Sequence, residues 1–240
     1  MGYKKRERRK RRMTNTEHNV ELAHTVFEPR GRGPHPTILA LHGWGASAMD
    51  LLGLAPYLGG GRFLALCPQG PLETPIGPGA VSYGWFPLAL GGPPNEPAIL
   101  DAAERLRTFL AEAEERYPID PQKLVLLGFS QGGVMAYSLA LREPQRFAAA
   151  IVLSSWLPKE LAARLAAAGA ASFPPILVQH GSRDDLISVE QARSSIETLR
   201  DLRVPVTYRE YDMGHEISPR SLADLASWLE EKILSPIIAP

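Results

Sequence analysis

The stretch Gly128-Phe129-Ser130-Gln131-Gly132 decides the fold, because of the residues on either side of it. Upstream, residues 123–127 form a short apolar run that is typical of a buried parallel strand. Downstream, residues 133–140 have the pattern of a helix. A G-x-S-x-G between strand and helix predicts a nucleophile elbow, a tight turn that presents a serine hydroxyl above the sheet. The turn also leaves backbone N–H groups at the helix N-terminus free to bind an oxyanion.

The composition indicates one soluble globular domain. The chain has 240 residues, of which 45% are hydrophobic and 22% are charged, and this length suits a single large α/β domain. The lone Cys67 excludes an intrachain disulfide and is expected to be buried as a small hydrophobic residue. No apolar stretch approaches the ~20 residues of a membrane span, and the N-terminus lacks the apolar core of a signal peptide. We therefore expect a cytoplasmic protein.

The charge is unevenly distributed along the chain. Eight of the 26 basic residues but one of the 26 acidic residues lie in residues 1–12, so the remainder carries 18 basic and 25 acidic residues, a net charge near −7. We predict a disordered basic tail over residues 1–20 and a single domain over residues 21–240. The tail could contact nucleic acid or anionic lipid. We favour a solvated tail, or a working start at Met13, because nothing else in the chain indicates nucleic-acid binding.

Strands alternate with helices along the chain, which predicts a mostly parallel sheet covered by helices on both faces. The predicted strands span residues 24–28, 36–41, 62–67, 123–127, 147–153, 175–179 and 204–210. The predicted helices span residues 51–58, 99–117, 133–141, 161–168, 189–199 and 222–233. Residues 68–98 are rich in Pro and Gly, so we expect a long irregular loop that forms one wall of a binding cleft.

A serine nucleophile needs a base to accept its proton, and the base needs a carboxylate to orient it. In this architecture the two partners follow later strands, in the order Ser, Asp, His. Residues 180–187 (His-Gly-Ser-Arg-Asp-Asp-Leu-Ile) follow one predicted strand, and residues 211–216 (Tyr-Asp-Met-Gly-His-Glu) follow the next. The sequence thus offers two adjacent acids and a histidine at the expected positions.

Taken together, these motifs resemble those of the phospholipase/carboxylesterase family of α/β-hydrolases, which includes acyl-protein thioesterases and small bacterial carboxylesterases. The resemblance extends from about residue 22 to residue 233 and implies the α/β-hydrolase fold. It is carried by G-F-S-Q-G-G at 128–133, H-G-x-x-D-x-x-I at 180–187, M-G-H-E at 213–216, L-H-G-W-G-A at 41–46, P-Q-G-P at 68–71 and G-W-F at 84–86.

The resemblance implies a role for each residue of a catalytic triad. Ser130 corresponds to the family's nucleophile and His215 to its general base. Asp184 fits the acid, since it lies four residues after His180 and three before an aliphatic residue. Asp185 satisfies neither spacing and is expected to be a capping or surface acid.

The resemblance also implies an oxyanion hole formed by the backbone N–H groups of Trp44 and Gln131. Relatives often carry a small or aliphatic residue where this chain has Trp44. An indole turned into the cleft would narrow the acyl pocket and favour short chains, whereas an indole turned outward would pack against residues 68–98. The pocket itself is expected to be lined by aromatic and aliphatic side chains of two loops, Trp85, Phe86, Trp156 and Leu157.

The function expected from these residues is hydrolysis of small soluble esters, of short to medium chain length, through an acyl-enzyme. Within the same family the alternative is an acyl-thioesterase or a lysophospholipase. From other classes, the alternatives are a catalytically silent binding module and a serine peptidase. The binding module is disfavoured because all three triad residues are present, and the peptidase because such enzymes usually carry an additional propeller or cap domain.

No cofactor or metal is expected. The six histidines form no H-x-x-x-H or H-E-x-x-H pair, and no glycine-rich phosphate-binding motif opens a helix. The expected partner is a small-molecule ester, without nucleic acid or a membrane span, and a homodimer is left open.

Overall fold

The computed structural model describes residues 22–88, 95–166 and 172–235. The predicted basic tail over residues 1–20 and the last two residues of the predicted helix 161–168 lie outside these ranges. The described residues form nine strands, numbered in chain order: β1 His24–Phe27, β2 His35–Leu41, β3 Leu64–Pro68, β4 Leu72–Gly77, β5 Ala80–Gly84, β6 Ile119–Phe129, β7 Ala149–Leu153, β8 Ile176–Gly181 and β9 Val206–Tyr211.

Seven of these strands form the central sheet, in the spatial order β1-β3-β2-β6-β7-β8-β9. β1 is antiparallel to β3, and the remaining neighbours in this sheet are parallel. β4 and β5 pair with each other as a separate antiparallel hairpin. The predicted mostly parallel sheet is confirmed.

Helices cover both faces of the sheet. They are α1 Glu96–Arg116, α2 Gln131–Arg142, α3 Lys159–Ala166, α4 Val189–Asp201 and α5 Pro219–Leu229, with a 3-10 segment at Leu52–Gly61 and a π-helical turn at Glu230–Leu234. The core residues of α1 to α4 belong to one hydrophobic cluster. Those of α5, the 3-10 segment and the π-helical turn belong to the other.

The inner strands of the central sheet carry unbroken apolar runs because each face of the sheet is buried. In β2, Leu39 and Leu41 join the cluster formed by α1 to α4, whereas Ile38 and Ala40 join the cluster under α5. Alternate side chains of a strand point to opposite faces, so a strand covered on both sides needs an unbroken apolar run. This explains the pattern upstream of Ser130.

Two helices begin earlier than predicted because polar residues cap them. The side chain of Asn95 accepts a hydrogen bond from the N–H of Ala98, so α1 starts at Glu96 rather than at residue 99. The side chain of Ser218 accepts from the N–H of Ser221, and α5 starts at Pro219 rather than at residue 222. Both caps satisfy N–H groups that a helix start leaves without an intrahelical partner.

Two predictions of local structure need correction. The short helix predicted at residues 51–58 is a 3-10 segment over residues 52–61 that contains Pro56, and non-helical backbone angles at Leu58, Gly59 and Gly60 break it. Residues 68–98 are not irregular throughout, because β4 and β5 form a hairpin within them. Its turn at residues 78–79 is a Pro-Gly pair, a turn signal, but the strands are mostly exposed and lack the alternating apolar pattern that would have predicted them.

Cys67 lies at the end of β3 and is buried as predicted. Burial raises the pKa of its thiol to about 12. Across the described ranges, no helix is both long and apolar enough to cross a bilayer.

Candidate active site

Ser130 lies on the tight turn between β6 and α2, with φ 54° and ψ −120°. A positive φ is rare for a residue with a side chain; here the N–H of Ser130 donates to the carbonyl oxygen of Leu153, and its own carbonyl oxygen accepts the hydroxyl of Ser155. A Cβ atom at Gly132 would overlap the carbonyl oxygen of Leu41, and one at Gly128 would overlap the backbone of Gly132. The glycines two residues before and after the serine are therefore required sterically.

His215 and Asp184 are in direct contact. Nδ1 of His215 lies 2.8 Å from Oδ2 of Asp184. The other carboxylate oxygen of Asp184 accepts the N–H groups of Leu186, at 3.0 Å, and Ile187, at 2.9 Å. The Asp184 side chain is fully buried, whereas Asp185 is exposed. The structure thus brings Asp184, and not Asp185, to the histidine.

The hydrogen bond to Asp184 assigns the proton of a neutral His215 to Nδ1, which leaves Nε2 able to accept a proton. The ring of Phe129 packs against the imidazole, with 4.9 Å between the ring centroids. His215 and Ser130 line the same cavity. A hydroxyl and an oriented base therefore line one cavity.

The segments expected to provide the oxyanion hole lie beside the serine. Trp44 and Gln131 line the cavity together with Ser130. Gln131 is the first residue of α2, a position whose N–H has no intrahelical partner. The turn that precedes Trp44 also packs on the elbow, since a Cβ atom at Gly43 would lie 3.2 Å from Cβ of Ser130.

The cavity has a volume of about 580 Å³ and is lined mostly by apolar groups. The apolar side chains on its wall include Trp44, Leu51, Leu88, Trp156, Leu186 and Ile187. This volume lies within the ~300–1,000 Å³ that is usual for small-molecule sites.

Comparison with known proteins decides the family. A model of the phospholipase/carboxylesterase family matches residues 22–233. The chain belongs to the phospholipase/carboxylesterase family. The resemblance inferred from the sequence motifs is thereby confirmed.

The relatives carry the names of carboxylesterases and thioesterases. The chain is 29% identical to a probable carboxylesterase SOBER1-like protein of Arabidopsis thaliana over 163 residues, which cover 65% of this chain and 62% of that protein. It is 26% identical to acyl-protein thioesterase 1 of Mycosarcoma maydis over 234 residues, which cover 87% of this chain and 96% of that protein. The matches to two further plant carboxylesterases span 70% and 60% of their lengths.

Solved structures share the fold. Esterase PE8 superposes with a TM-score of 0.76 at 28% identity, covering 89% of this chain and all of that chain. The Bacillus cereus carboxylesterase superposes with a TM-score of 0.73 at 20% identity, covering 89% of this chain and 95% of that chain. The predicted α/β-hydrolase fold is confirmed.

Three of the four residues predicted to line the pocket of this family member lie behind its wall. Trp85 and Phe86 are fully buried, and the indole N–H of Trp85 donates to the carbonyl oxygen of His42. Leu157 is also buried. These side chains pack into the core, while Trp156 lies on the cavity wall.

Sequence reasoning missed most of the apolar wall. Leu51 precedes the 3-10 segment, Leu88 follows the hairpin, and Leu186 and Ile187 follow Asp184. No periodicity marks them, because they come from separate turns at the carboxyl ends of different strands. Leu88 belongs to the segment 68–98 that was expected to form a cleft wall, whereas no sequence signal pointed to Leu51, Leu186 or Ile187 as pocket residues.

The position of Trp44 combines the two orientations considered from the sequence, one turned into the cavity and one packed against residues 68–98. It lines the cavity, and its ring also packs against Gly84 at the end of β5, where an added Cβ atom would lie 2.6 Å from Cζ3 of the indole. Gly84 therefore makes room for the indole, and the indole forms part of the cavity wall.

The other two histidines in strand-end turns make structural hydrogen bonds. Nε2 of His180 lies 2.8 Å from the carbonyl oxygen of Ile187. Nε2 of His42 accepts the N–H of Gly70 at 2.9 Å, and burial lowers the pKa of His42. Within the residues that the structure describes, no three His, Cys, Asp or Glu side chains cluster as metal ligands.

Proposed function

We propose that this protein hydrolyses carboxylic esters of short to medium chain length through Ser130, His215 and Asp184. The observation that carries the proposal is the 2.8 Å contact between His215 and Asp184 beside a cavity that Ser130 also lines. A serine on an elbow, an oriented imidazole and a buried carboxylate form the arrangement that acyl transfer requires.

In the proposed reaction, Oγ of Ser130 attacks the ester carbonyl while Nε2 of His215 takes the hydroxyl proton. The N–H groups of Trp44 and Gln131 stabilise the negative charge that develops on the carbonyl oxygen. The tetrahedral intermediate collapses, His215 protonates the leaving alcohol, and an acyl group remains on Ser130. Water then attacks the acyl-enzyme with His215 as base, which releases the acid and restores the serine hydroxyl. Asp184 stabilises the imidazolium in both halves.

The dimensions of the cavity support small substrates. Its 580 Å³ of mostly apolar space suits an acyl chain, and Trp44 occupies part of the wall close to the nucleophile. An ester with a short or medium chain would bury its apolar surface there without displacing the indole. We also propose that residues 21–240 form a single domain and that the protein is cytoplasmic.

The cavity rim favours a second candidate, a thioester or lysophospholipid with a longer acyl chain. Leu88 and Leu186 line the cavity and yet are 44% and 76% exposed, so an apolar path continues to the surface. The same acyl-enzyme would form, because it does not depend on whether an alcohol or a thiol leaves. The relative named acyl-protein thioesterase 1 is consistent with this candidate.

The test is hydrolysis of a p-nitrophenyl ester series from acetyl to palmitoyl, with wild type beside Ser130→Ala and a fluorophosphonate label on both. We expect a maximum at short to medium chains, labelling of wild type, and loss of both activity and label in the variant. A maximum at the longest chains would favour the second candidate. Folded wild type that neither turns over any ester nor takes the label would refute both.

A further inference from the structure

Three buried polar side chains connect separate segments behind the cavity. They belong to His42 in the turn after β2, Trp85 after β5 and Gln131 at the start of α2, and we call this set the brace. Each residue is at most 2% exposed. Buried polar groups are costly unless they are hydrogen-bonded, so the partners of the brace indicate what it does.

Gln131 fixes the segment after the hairpin to the elbow. Its Oε1 accepts the backbone N–H of Trp85 at 2.7 Å, and its Nε2 donates to the carbonyl oxygen of Phe86 at 2.6 Å. Both bonds join the side chain to main chain more than forty residues away. Because one amide side chain bonds to an N–H and to a carbonyl group of adjacent residues, it fixes both the position and the orientation of that segment.

Trp85 and His42 continue the connection to the turn after β2. The indole Nε1 donates to the carbonyl oxygen of His42 at 2.8 Å. The His42 ring donates from Nδ1 to the carbonyl oxygen of Gly43 at 2.7 Å and accepts the N–H of Gly70 at Nε2 at 2.9 Å. The ring of His42 lies against the indole of Trp85, with 5.2 Å between centroids.

The brace therefore links the two segments that supply the proposed oxyanion donors. One donor is the N–H of Trp44, two residues after His42, and the other is the N–H of Gln131 itself. We infer that the brace sets the separation of these two N–H groups, so that the Gln131 side chain is a positioning residue in addition to its main-chain role. The inference rests on the proposed function.

The physical reason is the sensitivity of oxyanion stabilisation to geometry. Donors must lie ~2.7–3.1 Å from the developing oxyanion, and loss of one typically costs ~10²–10³ in rate. A misplacement of about 1 Å costs up to ~10²-fold. The two donors lie on chain segments more than eighty residues apart, so their spacing depends on contacts such as those of the brace.

The test replaces Gln131 by Met, which keeps the side-chain length and the main-chain N–H and removes both bonds. Gln179→Met is the matched control, because Gln179 is equally buried and its amide donates to Tyr211 and Ser221 away from the cavity. We expect kcat of Gln131→Met to fall roughly 10- to 100-fold with little change in KM. Gln179→Met should lower Tm but keep the wild-type kcat per folded molecule.

A second readout separates positioning from a merely structural role. Ser130 would attack a trifluoromethyl ketone to form a hemiketal oxyanion while His215 takes the proton, so its inhibition constant reports on the oxyanion hole. The constant should rise by the same factor as kcat falls in Gln131→Met and stay unchanged in Gln179→Met. Trp85→Phe keeps a ring and removes the bond to His42, and we expect a smaller effect in the same direction; it serves as the test if Gln131→Met fails to fold.

The inference is overturned if Gln131→Met, or Trp85→Phe in its place, keeps the wild-type kcat and ketone affinity. A change confined to KM or Tm overturns it as well. Failure of the proposed function is recognised separately, because wild type would then be inactive or Ser130→Ala would be as active as wild type.

Discussion

Two kinds of connection meet at the Ser130 cavity, and they position their residues by different means. The turn after β8 holds Asp184 through the N–H groups of residues two and three positions further along the chain. The connection from β3 to α1 is held at the cavity by side chains instead. The side chain of Gln131 bonds to the main chain of Trp85 and Phe86, which lie 46 and 45 positions earlier in the chain. The indole of Trp85 bonds to His42, which lies another 43 positions earlier. The first arrangement is local and specified by a short motif, whereas the second exists only in the complete fold.

The largest expected effect lies in the local arrangement. Asp184→Asn should lower kcat by ~10⁴, because an amide can hold the imidazole in the wrong tautomer and cannot stabilise the imidazolium. Asp185→Asn, which changes the exposed neighbour, should remain close to wild type. Initial rates on one p-nitrophenyl ester, corrected for folded fraction, measure both variants. A large loss in Asp185→Asn with little in Asp184→Asn would contradict the assignment.

The same contrast explains what the sequence could predict. Ser130, Asp184 and His215 were assigned because each lies in a motif whose geometry involves a few adjacent residues. Trp85 was expected on the cavity wall from its residue type, but its indole N–H donates to the carbonyl oxygen of His42, far away in sequence. Long-range hydrogen bonds leave no periodic pattern in the chain, and neither does a hairpin whose strands are mostly exposed.

A smaller effect is expected where the hairpin meets the cavity wall. Gly84→Ala places a Cβ atom 2.6 Å from Cζ3 of Trp44, so the indole must move. We expect a loss of about 1–3 kcal/mol in the free energy of unfolding, as is usual for overpacking, with a fall in kcat/KM for the preferred ester. Gly53→Ala is the control, since a Cβ atom there meets nothing within 4 Å. Urea denaturation and ester kinetics measure both.

A double-mutant cycle tests whether the indole is the cause of that loss. Gly84→Ala combined with Trp44→Ala should be less destabilised than the sum of the single variants, because the clashing ring is absent. Strict additivity would show that the added methyl group acts through another contact, such as the Gln131 Oε1 atom 3.1 Å from it.

Trp44→Ala should change the preference for acyl chain length more than the overall rate. Removal of the indole enlarges the cavity near Ser130, and one methylene in an apolar pocket is worth ~1–3 kcal/mol of discrimination. We expect the ratio of kcat/KM for octanoyl over butyryl esters to rise about tenfold. Tyr57→Ala, at an exposed position off the cavity wall, should leave the ratio unchanged. An unchanged ratio in Trp44→Ala would remove the indole from the determinants of specificity.

The smallest effect concerns pH and His42. Burial lowers the pKa of His42 in the fold, whereas in the unfolded chain it titrates near ~6.5. Below about pH 6.5 the unfolded state therefore binds more protons, so this contribution to stability is complete above that pH and is lost as the pH falls. The free energy of unfolding of wild type should decrease more steeply between pH 7 and pH 5 than that of His42→Asn, which has no such proton to bind. An equal dependence of the free energy of unfolding on pH in the two proteins would show that protonation of His42 does not affect stability.

The location of the acid-sensitive change distinguishes the two kinds of connection. Protonation of Nε2 of His42 removes the acceptor of the Gly70 N–H, and so weakens the attachment of residues 70–86 without touching the turn after β8. Amide exchange, expressed as protection relative to the intrinsic rate at each pH, should therefore show Gly70 and Trp85 losing protection in acid before Ile187 does. Loss at all three positions together would mean that the cavity opens as one cooperative unit, and that the local and long-range connections are not energetically separate.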